Sequence, residues 1–484
     1  MEGKMNKILR TTAYVTVFAL FSGVLSGCTL TSSKKPAAQT VTEQKNANQF
    51  VVWSFESEDI WKPIKADFES TNKGYTFTYK RETLDTGYET RVLNSILSGL
   101  GPDVWAMPND WVYRHKDKLA PMPTVTDPKT KKTGPLIDIK TSFVPAVAQS
   151  VAIGDQVYAL TPSIEPLTIY WNPQVFQQTL RDFNKLHEAD TDPTLRDKVN
   201  KLLAEPPKTW SEITEAIKLL TKKDAANNII QSGMAMGTKN IPNAQDILYL
   251  LMFQNGTQIT SDDLKIATFN LSKNTTAGLK DIPGKRAFDF YTSFADPASA
   301  NYSWNDALGN SIDAFAHGKV AMMFGYGSLE KKFLETYPDI QYRKAYAPQL
   351  GQEQYTITDF TRFTAFGVSG ISNNIPLAWN FNVALATTYA DSIAAANGTI
   401  TPALKTTPSA VADTTLLQRD RPTAPEANEL STAKTFLKGR NPVIFDKYIN
   451  DAIAAINSKT RDSASIIDLT ALDTTALLKS DEWK

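Results

Sequence analysis

The 484-residue chain reads as an α/β protein of two lobes or domains rather than one. Three observations predict this. The length exceeds the roughly 250–300 residues at which one core stops growing. Short apolar segments alternate with segments of helical period from residue 50 onward, the pattern of a parallel sheet covered by helices. The composition, 42% hydrophobic and 21% charged, is that of an ordinary globular chain.

The first thirty residues stand apart. Lys4, Lys7 and Arg10 precede an apolar run from Ala13 to Leu25, a positive region followed by a hydrophobic region of secretory-signal length. The run is shorter than the about 20 residues of a relaxed bilayer span. Leu25-Ser26-Gly27-Cys28 follows, and Cys28 is the one cysteine of the sequence. This resembles the lipobox of bacterial lipoproteins, which implies cleavage after residue 27, diacylglycerol and palmitate-type acyl chains on Cys28, and an anchor on the extracytoplasmic side of a cell membrane, in the periplasm or at the cell surface. Residues 28–48 are polar and without apolar periodicity, so they read as a flexible tether.

Phe50 to Trp53 is a short apolar strand, followed by Ile60, Ile64 and Phe68 at helical spacing with Pro63 expected in the first turn. Tyr75, Phe77 and Tyr79 alternate as a second strand. Tyr88, Val92 and Ile96 form a second helical stripe closed by Gly99, and Val104 to Met107 is the third strand. A parallel sheet binds ligands beyond the carboxyl ends of its strands, so functional residues should follow Trp53 and Met107. Further on, Thr209-Trp210-Ser211-Glu212 is a capping box opening a helix with Ile213, Ile217 and Leu220 on one face. Another helix ends at Gly318 and leads into the strand Val320 to Phe324. The proline-rich stretches Pro121 to Pro135 and Gln418 to Asn428 read as surface loops.

Composition excludes several function classes. With 51 basic and 51 acidic residues there is no charge surplus for nucleic-acid binding. A single cysteine excludes intrachain disulfides and cysteine-based metal or iron–sulfur sites. His115, His187 and His317 are too scattered to suggest a metal cage, and no cofactor is indicated. Walker A, Gly-x-Ser-x-Gly and His-Glu-x-x-His motifs are missing from the sequence.

Six segments in order across about 350 residues resemble the family 1 extracellular solute-binding proteins, the maltose-binding-like receptors of ABC importers. They are Ser98-Gly99-Leu100-Gly101-Pro102-Asp103-Val104; Asp155 to Leu160; Ile169-Tyr170-Trp171-Asn172-Pro173-Gln174-Val175-Phe176; Pro207-Lys208-Thr209-Trp210; Phe315 to Met322; and Ala347-Pro348 with Phe366-Gly367-Val368-Ser369. Three positions depart from the family pattern: Thr161 stands before Pro162, Trp171 replaces a common tyrosine, and Phe436 lies where many members carry tryptophan. The resemblance implies a type II periplasmic-binding-protein-like fold, two α/β lobes joined by three hinge crossovers with the ligand cleft between them. The crossovers are expected near Pro162–Pro166, Arg343–Gln349 and Thr401–Leu404. Lobe 1 would be residues 49–163 plus 346–402, and lobe 2 residues 164–345 plus 403–484. It also implies a monomeric, non-enzymatic receptor that hands a solute, foremost an oligosaccharide, to ABC permease subunits.

A sugar site needs carboxylates and amides for hydroxyls and aromatic rings for C–H faces. Trp53 and Glu56 follow the first strand, and Asp110 and Trp111 the third. Glu165 lies in the first crossover, where the family often has an acidic ligand residue. Asn243 and Gln245 open an apolar helix, Tyr302 and Trp304 share a polar loop, Tyr326 follows a strand, and Phe436 sits at the position noted above. Trp304 is expected to be an exposed platform, since a ring in that loop has no obvious core to enter. Trp61, Trp105 and Trp210 are expected to pack, and His115, among charged residues, to be solvated. Two of Glu56, Asp110 and Glu165 could instead serve a glycoside hydrolase, which needs carboxyls about 5–5.5 Å or roughly 6.5–9.5 Å apart. The sequence leaves two further readings open, a lipoprotein scaffold with no small ligand and a receptor for a non-sugar solute.

Overall fold

A computed structural model describes residues 46–480 apart from 127, 191, 275–277, 279, 352–356, 397–400 and 403–431. The signal segment, Cys28, the tether as far as residue 45 and the loop Gln418 to Asn428 lie outside the described residues. Among the described residues no helix is long and apolar enough to cross a membrane.

The first core forms on a five-stranded sheet. Strands β1 (Gln49–Ser54), β2 (Thr76–Arg81) and β3 (Val104–Pro108) run parallel, with β1 central. Antiparallel β10 (Thr364–Val368) joins the free edge of β3 and pairs in turn with β4 (Ala159–Leu160), giving the order β2-β1-β3-β10-β4. Helices α1 (Glu58–Thr71) and α7 (Ile375–Ala386) pack against it through rings: Phe50 stacks on Phe68 at 4.6 Å and meets Phe381 edge-on at 5.1 Å. Pro63 is the sixth residue of α1, not in its first turn. The helix starts earlier than the apolar stripe suggests because Glu58 and Asp59 favour its N-terminus. Helix α2 (Tyr88–Leu97) ends where Gly99 takes φ +75°, and a Cβ on Gly101 would lie 2.9 Å from the Cα of Ile96. That tight turn delivers Asp103, whose carboxylate accepts from the amide of Val51 (2.7 Å) and from Ser372 Oγ (2.7 Å). The Gly-x-Gly-Pro-Asp segment is therefore a structural clasp between strands.

The second core is organised by β6 (Thr168–Trp171), flanked by antiparallel β7 (Met322–Gly325) and β8 (Arg343–Ala345). Around it pack α4 (Trp210–Leu220), α5 (Ala244–Gln254), α6 (Pro283–Ser293), α8 (Pro442–Asn457) and α9 (Ser463–Ser480). Thr209 and Glu212 make both bonds of the capping box at the start of α4. The stretch Pro121 to Pro135 carries a small exposed hairpin, Thr124–Thr126 with Thr133–Pro135, rather than loop alone.

Three crossing segments lie side by side. Strand β5 (Ser163–Pro166) is flanked by β9 (Thr361–Arg362) and β11 (Thr401–Pro402). Ile164 belongs to the first core and Leu167 to the second; Phe360 belongs to the second and Phe363 to the first. The second crossing is therefore at Thr361–Arg362. The sequence places it at Arg343–Gln349, but Ala347 packs in the second core and the Gln349 carbonyl accepts the amide of Trp210 at 3.0 Å, so the chain through Gln349, and again at Phe360, stays with the second lobe.

Candidate functional site

Between the two cores, over the crossing strands, lies a cavity of about 970 Å³, at the upper end of the roughly 300–1,000 Å³ of small-molecule sites. The loops after β1 and β3 form one wall, as the parallel-sheet argument requires. Glu56 is drawn back into its own lobe: its Oε2 accepts from Ser54 Oγ (2.5 Å) and Trp61 Nε1 (3.4 Å), and its carbonyl from the Tyr79 hydroxyl (2.6 Å). Asn109 is a junction, donating to Ser150 Oγ (2.9 Å) and Thr435 Oγ1 (3.2 Å) while accepting the amide of Phe363 (3.1 Å). Asp110 opens the short helix α3 (Trp111–His115) and faces the ammonium of Lys438 at 3.5 Å.

The opposite wall is the start of α5 with the first turns of α8. Asn243, at φ +60°, turns the chain into α5, a left-handed conformation that asparagine tolerates. Asn243 and Gln245 both line the cavity; Gln245 Oε1 accepts from Asn450 Nδ2 at 3.2 Å. Asp246 accepts from the Tyr326 hydroxyl at 2.8 Å. Asp446 accepts from the Tyr249 hydroxyl (2.7 Å) and pairs with Lys438 (2.8 Å).

The floor is charged. Glu165 on β5 pairs with Arg362 Nε at 3.1 Å and accepts the amide of Ser328. The Arg362 guanidinium also donates to Asn243 Oδ1 (3.4 Å) and Ser328 Oγ (3.2 Å) and lies 3.7 Å over the Tyr326 ring. Burial pushes the carboxyl of Asp246 up to about 6, with the nearby Lys438 ammonium opposing the rise. Asp110 is raised for the same reason, against the same opposing ammonium. Burial works against the charge on Lys438, but Asp446, Asp110 and Asp246 outweigh it and hold the ammonium above its ordinary range.

Of the residues singled out from sequence, Glu56, Asp110, Glu165, Asn243 and Gln245 meet at this cavity, and the aromatic candidates do not line it. Trp53 packs in the first core under the ammonium of Lys80, 3.8 Å from its ring. Trp111 packs against Tyr88 and His115. Tyr302 accepts from Asn305 Nδ2 (2.8 Å) beneath Lys223. Trp304 is 1% exposed and belongs to the second core: the amides of Ser303 and Trp304 both donate to the Phe294 carbonyl, at 3.0 and 3.1 Å, and pull the loop onto the end of α6. Phe436 packs with Tyr249 and Phe445. Tyr326 lies one layer behind the wall, beneath Asp246 and Arg362. His115 is 5% exposed, not solvated; its ring lies 3.1 Å from Glu89, and burial pushes it down to about 4. Asp246, Arg362, Lys438 and Asp446 are wall and floor residues that the sequence reading misses. Two leave a trace: Asp246 interrupts an apolar helix start, and Arg362 sits in Phe360-Thr361-Arg362-Phe363.

Two α/β lobes on three adjacent crossing strands, with a polar cavity above the crossing, define a type II hinged binding protein. Residues 54–387 match the family described as bacterial extracellular solute-binding protein, and the chain belongs to that family. A comparison with curated proteins gave no match. Among solved structures it is similar to a cyclo/maltodextrin-binding protein complexed with maltotetraose (14% identity, TM-score 0.64, covering 90% of this chain and 98% of that one). The sugar-binding protein MalE of Xanthomonas citri is similar at 13% identity and TM-score 0.64, over 90% and 98% of the two chains. An ABC substrate-binding protein of Listeria monocytogenes in complex with cycloalternan is similar at 16% identity and TM-score 0.59, over 89% and 98%.

Proposed function

We propose that this chain is a membrane-tethered receptor that captures a carbohydrate of oligosaccharide size and delivers it to the permease of an ABC importer. The observation that carries the reading is the interlobe cavity itself: about 970 Å³ walled by Glu56, Asp110, Asn243, Gln245 and Asp246, with the half-buried Phe55 among its lining residues. Carboxylates and side-chain amides accept and donate to hydroxyls, and Phe55 offers apolar contact for a pyranose face. Similar structures holding maltotetraose and cycloalternan support the same ligand class. The lobes hinge about β5, β9 and β11, and a solute that contacts both walls favours the closed state by its differential affinity. Lipid on Cys28 holds the receptor at the membrane.

A thermal-shift screen of saccharides, followed by calorimetric titration, tests the capture step, because a ligand bound to the native state alone raises Tm. The expected result is 1:1 binding of a saccharide recovered unchanged after prolonged incubation. Turnover that disappears in both folded Glu56→Gln and Glu165→Gln variants would replace this reading with a hydrolase. For the anchor, Cys28→Ser should move the protein out of the membrane fraction or leave an uncleaved precursor. A wild-type mature terminus elsewhere and free of lipid would refute anchoring.

A further inference from the structure

The cavity holds more negative charge than a neutral sugar can answer. Among the described residues six carboxylates line it: Glu56, Asp110, Glu165, Asp246, Glu330 and Asp446. Glu330 is answered by Lys344 at 2.7 Å. Lys331 also borders the cavity, but its largely exposed side chain turns to Glu335. Against the remaining five carboxylates stand Arg362, bound to Glu165, and Lys438, shared between Asp446 and Asp110. Glu56 and Asp246 are held by neutral donors, a serine hydroxyl and indole N–H for the first and a tyrosine hydroxyl for the second.

Hydroxyl groups of a neutral saccharide can donate to these carboxylates, but they leave the surplus charge in place. Closing the lobes over such a solute removes water from that charge, which is costly without a counter-cation. A solute that carries its own cation removes the cost, and the half-buried Phe55 on the same wall suits the apolar face of a sugar beside it.

Resting on the carbohydrate reading above, we propose that the solute is an amino-substituted oligosaccharide whose protonated amine is received by Asp246, with Glu56 adding negative potential from the opposite wall. Asp246 is faced by Tyr326, Arg362 on β9, Lys438 ahead of α8 and Asp446 within it. The two cations near it are already engaged by Glu165 and by Asp446 and Asp110.

The test is calorimetric titration of the full-length protein with the glucosamine tetrasaccharide, its fully N-acetylated counterpart, maltotetraose and spermidine. The first two share a backbone and differ in charge. The expected result is that the free-amine tetrasaccharide binds about tenfold or more tightly than either neutral tetrasaccharide. Its affinity should weaken as salt rises and as pH falls through about 6, where Asp246 takes up its proton. Asp246→Asn, checked for an intact melt, should lose most of that preference, read within the variant as the ratio of its affinities for the free-amine and the N-acetylated tetrasaccharide. Equal or tighter binding of the neutral tetrasaccharides would overturn the amine assignment and leave the carbohydrate reading standing. Binding of spermidine with no saccharide bound would overturn the carbohydrate reading and, with it, this proposal. Should Asp246→Asn retain the full preference for the free amine, the assignment to Asp246 fails.

Discussion

The loop after β3 and the loop from Asn301 to Asn305 look alike in sequence. Each sets a tryptophan among polar residues, Asn109-Asp110-Trp111 in one and Tyr302-Ser303-Trp304-Asn305 in the other. They end in opposite places. The first puts Asp110 in the cavity wall, whereas the second folds inward and buries its tryptophan. The difference lies in what dictates each position. Topology places Asp110, since a parallel strand must end at the crevice, and this holds whatever side chain follows. Residue type alone is a poorer guide to Trp304, because a large ring buries itself wherever the backbone gives it a neighbour. The neighbour here is the Phe294 carbonyl at the end of α6, which captures two successive amides of the loop.

That contrast is broken most directly at Trp304. Trp304→Ala should cost about 3–5 kcal/mol of stability, the scale of emptying a large aromatic site in a core, and leave solute affinity unaltered in the folded fraction. Denaturant melts and calorimetric titration of the variant together read both quantities. A weakened affinity with an unaltered melt would return Trp304 to the site and erase the distinction between the two loops.

Lys438 sharpens it from the other side. Lys438→Met leaves Asp446 and Asp110 in the wall without their shared cation, and loss of one partner from a buried ion pair costs about 3 kcal/mol or more. Urea denaturation at neutral pH measures this. The additional double variant Lys438→Met/Asp446→Asn should recover part of the loss, because the orphaned charge is removed with its partner.

These two residues show how much is legible in the sequence. The strands β1, β2 and β3 with their intervening helices, the capping box at Thr209 and the turn at Gly99–Asp103 are local patterns, and each is set by spacing that a sequence displays. Glu165 comes with the family resemblance, whereas Glu56 and Asp110 follow from the ends of those strands and Asn243 and Gln245 from the apolar helix that they open. The floor does not, since Lys438 reaches Asp110 across 328 positions and Arg362 reaches Glu165 across 197. No periodicity encodes such a pairing. The aromatic candidates fail for the opposite reason: a ring stacking on sugar and a ring filling a core satisfy the same sequence rule, and only the fold separates them.

Asn109 probes the seam between these two regimes. It sits where topology predicts function, yet all three of its side-chain bonds go to protein groups, Ser150, Thr435 and the Phe363 amide. Asn109→Ala strands a buried amide and two hydroxyls, at about 2–3 kcal/mol. The variant should melt lower and still bind solute; loss of binding without loss of stability would make Asn109 a ligand contact.

The smallest effect has an informative sign. Asp246 has a folded pKa of about 6 against 3.8 for the free group, so between those values the native state binds the extra proton. Stability from this residue is therefore full below about pH 4 and is lost as pH rises through about 6. Asparagine imitates the protonated form at every pH and can still accept from Tyr326. Asp246→Asn should thus match the wild type near pH 4 and exceed it at pH 7–8, by on the order of 2 kcal/mol. Paired melts across that range decide it. A variant less stable than wild type at pH 8 would mean that ionised Asp246 is welcomed by Arg362 and Lys438, and the floor would then carry no surplus charge. A gain in stability bought with loss of amine affinity is the signature of a side chain kept in place for the solute it holds.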